Sequence, residues 1–526
     1  MEGETPISSR SWQFWAVFPG LCFASFLTAF DASVVFTALP TIVEQLNAAE
    51  NYIWIINAYT LAMTVVQPLY GQIANILGRK WTMIGATILF LIGSLLCGIA
   101  KSTPVLIFGR AVQGMGGGGL SVLPGMIICD IVPLRDRQKY TGITYGAFAI
   151  GTFMGPVLGG ILTDTVGWRW IFFLAIIIAG ITLFLVVSFL HVKHGRDQFG
   201  WKTLKHIDVV GNLTLVTSLT AILVSLSWAD ATYPWSSFRV IVPLTLGLVG
   251  LGGFFALQST KLCPFPTVPL HLFGNRTSAT AYIITLLHGL VLYWGSVFLP
   301  VYFQAVKLNT AQQSGIACLA SALPLVPGGI VGGFLIAKTG RYKPNQMLGC
   351  GLMIVGVGCF SMLDKSTLVF AWVFYQIIFA LGAGLVLTAL LPAIQAPLSE
   401  DDTATATATW GFMQSFGFIW GAAIPSAIFN NHVSMLLAEN GDRALNAIIG
   451  NGQGYQHASR AFIMSLTPEL QKVMIELFTT TLRFTWYLAF IFVGLAFLLA
   501  CSIPEVALRK DLETRYGLEE KGVESA

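Results

Sequence analysis

The sequence predicts an all-α membrane protein with 14 transmembrane helices, and three features support this fold class. Of 526 residues, 55% are hydrophobic and 10% are charged, whereas a soluble domain carries roughly 25% charged residues. Fourteen apolar stretches reach the length of about 20 residues that a helix needs to cross a hydrocarbon core of ~30 Å. Positive charges are concentrated in alternate loops between these stretches. Because a chain in lipid must pair its backbone groups internally, each stretch is expected to be a helix.

The predicted spans are numbered here in chain order, and their ends are defined to within a few residues. They lie near 14–39, 52–74, 81–100, 104–128, 140–163, 169–190, 208–228, 239–258, 278–303, 313–337, 345–363, 367–393, 404–429 and 484–503.

The positive charges orient these spans in the membrane. Loops after even-numbered spans contain Arg79, Lys80, Arg135, Arg137, Lys139, Lys193, Arg196, Lys202, Lys205, Lys261, Arg276, Lys338, Arg341 and Lys343. Short loops after odd-numbered spans contain only Lys101, Arg169, Arg239, Lys307 and Lys365. Since cytoplasmic loops are enriched in Lys and Arg, the even-numbered side and both termini are predicted to be cytoplasmic.

Composition also excludes several functions. The net charge of +4 is small and scattered, which argues against a nucleic-acid partner. Eight cysteines occur without a CxxC pair, so neither a disulfide framework nor a metal site is expected. The spans contain no convergent His, Asp or Cys cluster, and we therefore expect no enzyme activity and no cofactor. The N-terminus lacks the pattern of a cleaved signal peptide.

A sequence repeat divides the chain into two halves. "GQIANILGRK" ends span 2 and "GFLIAKTGRYK" ends span 10, so that Gly71 and Gly78 correspond to Gly333 and Gly340. The copies have the same orientation, and each follows the second span of a group of six. The sequence thus predicts two parallel six-helix bundles with spans 7 and 8 inserted between them. The expected segments are a cytoplasmic N-terminus 1–13, a first bundle 14–190, a linker with two helices 191–277, a second bundle 278–503 with an outer loop 430–483, and a cytoplasmic tail 504–526.

Span 5 contains an unusual number of helix-weakening residues for a membrane helix. Gly151, Gly155 and Gly159 share one face, and Gly142 and Gly160 lie on nearly the opposite face. Small residues allow helices in lipid to approach closely, so close packing is predicted on both faces. Pro156 removes a backbone hydrogen bond and is expected to permit a bend. The run Gly116–Gly119 in span 4 is likewise expected to allow close helix packing, since no Lys-Ser/Thr follows it as in a phosphate loop.

These motifs make the chain resemble a fourteen-helix drug/proton antiporter of the major facilitator superfamily, in particular its fungal members, over roughly residues 12–505. The family's antiporter signature G-x8-G-x3-G-P-x2-G-G is matched in span 5 at Gly142, Gly151, Gly155, Pro156, Gly159 and Gly160. "RAVQG" in span 4 is similar to the family's R-x-x-Q-G pattern through Arg110, Gln113 and Gly114. "FDASVVFTALP" in span 1, with Asp31 and Pro40, is similar to the family's first-helix segment.

The resemblance implies a proton-coupled exporter of small apolar or amphipathic organic compounds, such as a toxin, a drug or a secondary metabolite. It implies alternating access in a monomer embedded in the lipid bilayer, with the plasma membrane as the expected location and the vacuolar membrane as the alternative. An importer of the same fold, such as a siderophore or vacuolar amino-acid carrier, is the second hypothesis. The direction of flux in vesicles distinguishes the two.

The gating loop of the family corresponds here to Gly71, Asn75, Gly78, Arg79 and Lys80. The family normally has an aspartate where this chain has Asn75. Because asparagine brings no charge, the resemblance implies a weaker cytoplasmic gate.

Charges inside the spans are the candidates for proton coupling. Asp31 is the only acidic residue well inside a span and Arg110 the only basic one, and each costs about 2.5–3.5 kcal/mol at mid-bilayer. Counted along their helices, both fall in the outer half of the membrane, so they are predicted to lie at similar depth. A purely structural ion pair is the alternative. Asp164 and His288 are the next candidates, whereas Glu400, Asp401 and Asp402 are expected to be a solvated acidic run.

A substrate cavity is indicated by aromatic and amide side chains within the spans, although ordinary packing explains each of them equally well. The candidates are Gln67, Tyr70, Gln113, Tyr293, Trp294, Gln376, Gln414 and Trp420.

Overall fold

The structure is a computed structural model that describes residues 12–46, 52–134, 136–190, 208–229, 233–260, 263, 266–440, 454, 455 and 457–509. Within these residues the fold is helical, and the one β-type pairing is an isolated bridge between Ala229 and Tyr233. The all-α prediction is therefore confirmed for the part of the chain that is described.

Eight helices precede the middle of the chain. They are α1 Trp12–Leu46, α2 Tyr52–Leu77, α3 Arg79–Gly98, α4 Thr103–Ile131, α5 Arg137–Thr165, α6 Arg169–Phe189, α7 Val209–Trp228 and α8 Phe238–Gln258.

The helices of the second half follow a 3₁₀ turn at Leu270–Phe273. They are α9 Arg276–Val301 with a π-helical turn Tyr302–Val306, α10 Ala311–Ala322, α11 Leu325–Thr339, α12 Lys343–Phe360, α13 Val369–Gln395, α14 Thr403–Asn440, α15 Arg460–Met464 and α16 Pro468–Ser502.

Every predicted span coincides with helix, but their lengths and continuity differ from the prediction in three places. Predicted span 10 is two helices, α10 and α11, because the segment is interrupted before Leu325 at Pro324, whose ring removes a backbone donor. In the predicted outer loop 430–483, α14 continues to Asn440 and α16 begins already at Pro468. The predicted spans ended where the runs of apolar residues end. A helix can continue through polar residues beyond the hydrocarbon core, so the observed helices are longer.

Twelve of the described helical segments are long and apolar enough to cross a membrane, which makes this a multi-pass membrane protein. The helices α2 and α12 are not among these twelve, so a total of 14 spans is not established by helix length and composition.

The chain divides into two compact units. The first comprises Met1–Asp208, Ser399–Gly411 and Arg509–Ala526, and the second comprises Val209–Leu398 and Phe412–Leu508. The beginning of α14 thus belongs with the N-terminal helices, while the rest of α14 belongs with the second unit.

The first unit packs around α1 and α4. Helix α1 contacts α5 and α6, and α4 lies against α2 and α3. Fully buried rings fill the space between them, including Phe30, Phe90, Trp168 and Phe172. In the second unit α13 contacts α9, α11 and α12, whereas α7 and α8 pack mainly on each other.

The two copies of the sequence repeat share a backbone feature. Gly78 precedes α3 with φ 82°, and Gly340 follows α11 with φ 69°. Side chains other than glycine rarely adopt this left-handed region, so glycine is required at both tight turns.

Candidate functional site

The centre of the candidate site is a buried ion pair between α1 and α4. Arg110 Nη1 donates to Asp31 Oδ2 at 2.7 Å and to Gln113 Oε1 at 2.7 Å. Gln113 Nε2 donates to Asp31 Oδ1 at 2.7 Å, which closes a triangle of three side chains. All three are at most 1% exposed. Removing one partner of a buried pair typically costs about 3–5 kcal/mol, so a change in the charge of Asp31 must alter the whole triangle.

Neighbouring helices hold the triangle in place. Arg110 Nε donates to the carbonyl oxygen of Ile55 at 3.2 Å, and its guanidinium carbon lies 4.3 Å from the ring centroid of Tyr59. Gln113 Nε2 also donates to Ser94 Oγ at 2.9 Å. Sequence reasoning missed Ile55, Tyr59 and Ser94, because a backbone carbonyl leaves no sequence signal and single Tyr and Ser residues are common in spans.

Glycines allow the helices around the triangle to come this close. A Cβ at Gly93 of α3 would lie 2.6 Å from Gln113 Cβ and closer still to the Gln113 backbone. A Cβ at Gly114 would overlap the carbonyl oxygen of Tyr59, and one at Gly118 would lie 2.6 Å from the carbonyl oxygen of Met63. The expectation that the glycine run of α4 permits close packing is thus confirmed.

The glycines of α5 behave differently on its two faces. A Cβ at Gly151 would lie 3.1 Å from Ala29 Cβ, and one at Gly155 would lie 3.0 Å from Ser33 Cβ, so this face packs closely on α1. At Gly142, Gly146 and Gly160 the added Cβ would have no heavy atom of the described residues within 4 Å. The prediction of close packing on both faces is therefore wrong.

The remaining positions of the α5 motif give less information about packing. Gly159 is buried, and helix α5 is continuous through position 156. The side chains of Pro156 and Asp164 lie outside the described part of the structure, so the predicted bend stays a prediction.

Asn75 and Arg79 form a polar cluster with α4. Arg79 Nε donates to Asp130 Oδ2 at 2.6 Å, and Arg79 Nη1 donates to Asn75 Oδ1 at 2.9 Å. Asn75 Nδ2 in turn donates to Thr405 Oγ1 at 3.4 Å. Asn75 thus connects α2 to the first turn of α14 through neutral hydrogen bonds.

The rest of the gating loop holds the same region together. A Cβ at Gly71 would lie 2.9 Å from Ala408 Cβ, so only glycine allows α2 and α14 to touch there. Lys80 Nζ donates to the carbonyl oxygen of Val187 at 2.9 Å.

Glu400 corrects the expectation of a solvated acidic run. Arg137 Nη2 donates to Glu400 Oε2 at 2.9 Å, and the side chains of Arg137 and Glu400 are 1% and 11% exposed. Thr403 Oγ1 donates to the same carboxylate at 3.3 Å. Glu400 is therefore a nearly buried partner of Arg137, whereas Asp402 accepts from Ser399 Oγ at the surface.

The cavity candidates of the first unit form hydrogen bonds to neighbouring residues, although Gln67 Oε1 is buried without a hydrogen-bond partner among the described residues. Gln67 Nε2 donates to Ser121 Oγ at 3.2 Å, and the Tyr70 hydroxyl donates to the carbonyl oxygen of Met115 at 3.0 Å. Gln113 belongs to the triangle instead of a cavity wall.

The candidates of the second unit include two buried groups with unused hydrogen-bonding capacity. Trp294 Nε1 and Gln376 Oε1 are buried without a hydrogen-bond partner among the described residues. The Tyr293 ring stacks on Phe418 with centroids 5.5 Å apart.

The other candidates of this unit pack between helices. Trp420 contacts Phe416 edge-on, at 5.9 Å between ring centroids. Gln414 contributes its backbone carbonyl to a close approach at Gly289, where an added Cβ would overlap it.

His288 lies in the second unit. Its Nε2 lies 3.1 Å from the carbonyl oxygen of Ala383, and the side chain is buried. It lies among mostly apolar side chains, which include Cys350 and Met353.

Comparisons with a family model and with known proteins point to the same family. A model of the Major Facilitator Superfamily matches residues 21–422. The chain is similar to the MFS-type transporter pydD of Acremonium sp, with 44% identity over 515 residues that cover 98% of this chain and 90% of that protein. It is 43% identical over 522 residues to the Acurin A biosynthesis cluster MFS-type transporter of Aspergillus aculeatus, covering 98% and 94% of the two chains. It is 40% identical over 522 residues to the MFS-type efflux pump LUC4 of Fusarium sp, covering 99% and 93%.

Solved structures match the fold at low sequence identity. The proton:xylose symporter XylE superposes with a TM-score of 0.59 at 13% identity, covering 94% of this chain and 98% of that one. The human organic anion transporter MFSD10 gives a TM-score of 0.55 at 14% identity, covering 91% and 99%.

Proposed function

The chain belongs to the Major Facilitator Superfamily, and from this premise we propose that it exports small apolar or amphipathic organic compounds in exchange for protons. The names of its relatives, which include an efflux pump and a transporter of a biosynthesis cluster, support a secondary metabolite or toxin as the cargo. The complete α5 motif supports export over import. Transport proceeds by alternating access in a monomer, without a cofactor, a nucleic-acid partner or enzyme chemistry, and the plasma membrane is the proposed location.

The buried Asp31–Arg110 pair is the observation that carries the coupling assignment. Export against a gradient needs an energy source, and the chain has no nucleotide-binding motif. A carboxylate that is 0% exposed and held by a cation can change its proton occupancy when the cation approaches or withdraws. Asp31 takes a proton when its site opens to the outside and releases it when the site opens inward.

The substrate site is proposed to use the unpaired polar groups of the second unit. Trp294 Nε1 can donate a hydrogen bond and Gln376 Oε1 can accept one, which suits an amphipathic compound with a few polar atoms. The aromatic rings of Tyr293 and Trp420 provide apolar contact area.

We further propose that α2 and α12 cross the membrane, which gives 14 spans in two six-helix bundles with α7 and α8 inserted. At ~1.5 Å per residue the 26 residues of α2 extend ~39 Å and the 18 residues of α12 extend ~27 Å. Polar residues lower the mean hydropathy of both helices, but in α12 such residues face inward: Asn345 and Gln346 are buried, whereas Leu348 is 55% exposed. No described side chain from Trp54 to Leu77 is fully exposed, so α2 presents less surface to lipid than an exposed helix and can span with fewer apolar residues.

Reconstituted protein tests the proposal. Proteoliposomes that contain a pH indicator are exposed to amphipathic fungal metabolites and lipophilic dyes, under an imposed proton gradient. Wild-type protein is expected to concentrate its substrate against a gradient while protons move in the opposite direction. Asp31→Asn is expected to abolish this coupled movement, and Asp401→Asn serves as a matched control outside the membrane. If Asp31→Asn still concentrates substrate, the coupling assignment is wrong; if protons and substrate move in the same direction, the importer is favoured.

A further inference from the structure

The amide of Gln113 has a defined orientation in the triangle. Its Oε1 accepts from Arg110 Nη1, and its Nε2 donates both to Asp31 Oδ1 and to Ser94 Oγ. Ser94 Oγ donates to the carbonyl oxygen of Phe90 at 2.8 Å, so towards Gln113 it acts as an acceptor. If the amide were turned by 180°, Nε2 would face the donor of Arg110 and Oε1 would face the acceptors of Ser94 and Asp31. The observed orientation instead gives an ionised Asp31 a donor at each of its two oxygens.

A proton on Asp31 reverses the hydrogen-bonding requirement at this site, from a donor to an acceptor. The proton comes from the outer solution and adds to a carboxylate oxygen, so that the charge changes from −1 to 0 and an acceptor becomes a donor. A buried O–H group without an acceptor costs about 1–3 kcal/mol. The uncharged group that touches the carboxylate is the Gln113 amide, and it can accept this O–H only by turning Oε1 towards Asp31. Its Nε2 then faces Arg110, which places two donors against each other.

We propose that Gln113 is a positioning residue that makes the Asp31–Arg110 contact conditional on the ionisation of Asp31. Turning of the amide releases Arg110 when Asp31 is protonated, and the return of the amide restores the contact when the proton leaves. The inference rests on the proposed proton coupling, and it assigns to Gln113 a role that a cavity-lining or packing residue does not have.

Other titratable groups around the triangle do not carry this switch. Tyr59 from α2 presents its ring face to Arg110. Cys97 from α3 places Sγ 3.9 Å from Gln113 Oε1 and 3.8 Å from the carbonyl oxygen of Leu106. On α4 the charged neighbour is Arg110 itself, and among the described contacts of Asp31 none comes from a titratable group of α5 or α6.

Infrared difference spectroscopy of the purified full-length protein tests the switch without a transport substrate. The carboxyl band of Asp31 is followed during a pH titration and assigned by its loss in Asp31→Asn. Isotope-labelled arginine reports the guanidinium of Arg110, with assignment by loss of its signal in Arg110→Lys. In the wild type both bands are expected to change at one common midpoint.

Two substitutions separate switching from packing. Gln113→Glu introduces a carboxylate that only accepts, so a protonated Asp31 and Arg110 can both donate to it without any turn of the side chain. The carboxyl midpoint is expected to rise by about one pH unit or more through the added like charge, and the guanidinium band is expected no longer to change with it. A double variant that combines Gln113→Glu with Asp31→Asn keeps only the introduced carboxyl group. Its spectrum therefore shows which of the two carboxyl bands belongs to Asp31. Gln113→Met removes the donor to Asp31 at similar volume and raises the midpoint by about one pH unit. Gln346→Leu, which replaces a buried glutamine of α12, is the control and leaves the midpoint unchanged.

Unchanged midpoints in both Gln113 variants, or a guanidinium band that still follows Asp31 in Gln113→Glu, would overturn the role of Gln113. If Asp31→Asn removes no pH-dependent band from the wild-type spectrum, the proposed proton site itself is wrong. The two failures are therefore distinguishable.

Discussion

Replacing Gly93 by alanine is expected to damage the site by the addition of a single methyl group. The new Cβ would lie 2.6 Å from Gln113 Cβ, whereas carbon atoms pack at about 3.5–4.0 Å. Helices α3 and α4 must therefore separate by about 1 Å. The Ser94 Oγ–Gln113 Nε2 hydrogen bond, 2.9 Å long, would lengthen to about 3.9 Å, beyond the range of a hydrogen bond.

This displacement is expected to lower both the stability of the protein and its rate of transport. Overpacking of this kind costs about 1–3 kcal/mol, and a misplacement of about 1 Å in a functional group can lower a rate by roughly 10²-fold. We expect Gly93→Ala to lower the melting temperature in detergent and to reduce proton-driven efflux at least tenfold. The measurements are thermal unfolding with a thiol-reactive dye and efflux from proteoliposomes at equal protein content.

Gly85→Ala is the matched control on the same helix. A Cβ at Gly85 has no heavy atom of the described residues within 4 Å, so the same chemical change meets no neighbour there. Wild-type melting temperature and efflux in Gly93→Ala would refute the reasoning that close approach of α3 and α4 positions Gln113.

Three further changes test the surrounding structure. Asn75→Asp places a charge 2.9 Å from Arg79 and should shift the population towards the outward-facing state, seen as increased labelling of an engineered outer-half cysteine; unchanged labelling would contradict this. Glu400→Gln removes the carboxylate charge that faces the buried Arg137 and should lower the free energy of unfolding by about 3 kcal/mol. A double-mutant cycle with Arg137 measures how much of this loss comes from the pair, and additive effects would show that the pair contributes nothing. Asp364 lies in the loop between α12 and α13, where slight burial raises its pKa but hydrogen bonds from neighbouring hydroxyls and a backbone amide lower it by more, so the net pKa is below its ordinary value. Its contribution is present above the unfolded-state pKa of about 3.9 and is lost as the pH falls through the folded value. Asp364→Asn should therefore be less stable at neutral pH, with the difference disappearing in acid, and a pH-independent difference would exclude this explanation.

Much of the architecture was predictable because hydropathy and length are properties of single segments. A charge inside a span is costly, so Asp31 and Arg110 could be recognised without any knowledge of their neighbours. The repeated turn was recognisable for the same reason: Gly78 and Gly340 each satisfy a local backbone requirement, a positive φ, that glycine meets best.

Other features depend on which helices meet, and one segment does not contain that information. Glu400 is chemically similar to Asp401 and Asp402 beside it, yet it is nearly buried because Arg137 reaches it from 263 positions away. The two glycine faces of α5 look equivalent in sequence, but only the face with Gly151 and Gly155 meets α1.

The triangle of Asp31, Arg110 and Gln113 shows most clearly which features the sequence determines and which depend on the tertiary structure. The sequence by itself determined that an acid, a base and an amide lie within the spans, because the composition of each span names them. Only the tertiary structure decided that Gln113 joins Asp31 and Arg110, since its partners come from α1, α3 and α4 and the direction of its amide is set by Ser94. Hydrogen-bond polarity is a property of groups brought together in space, and no local pattern along the chain encodes it.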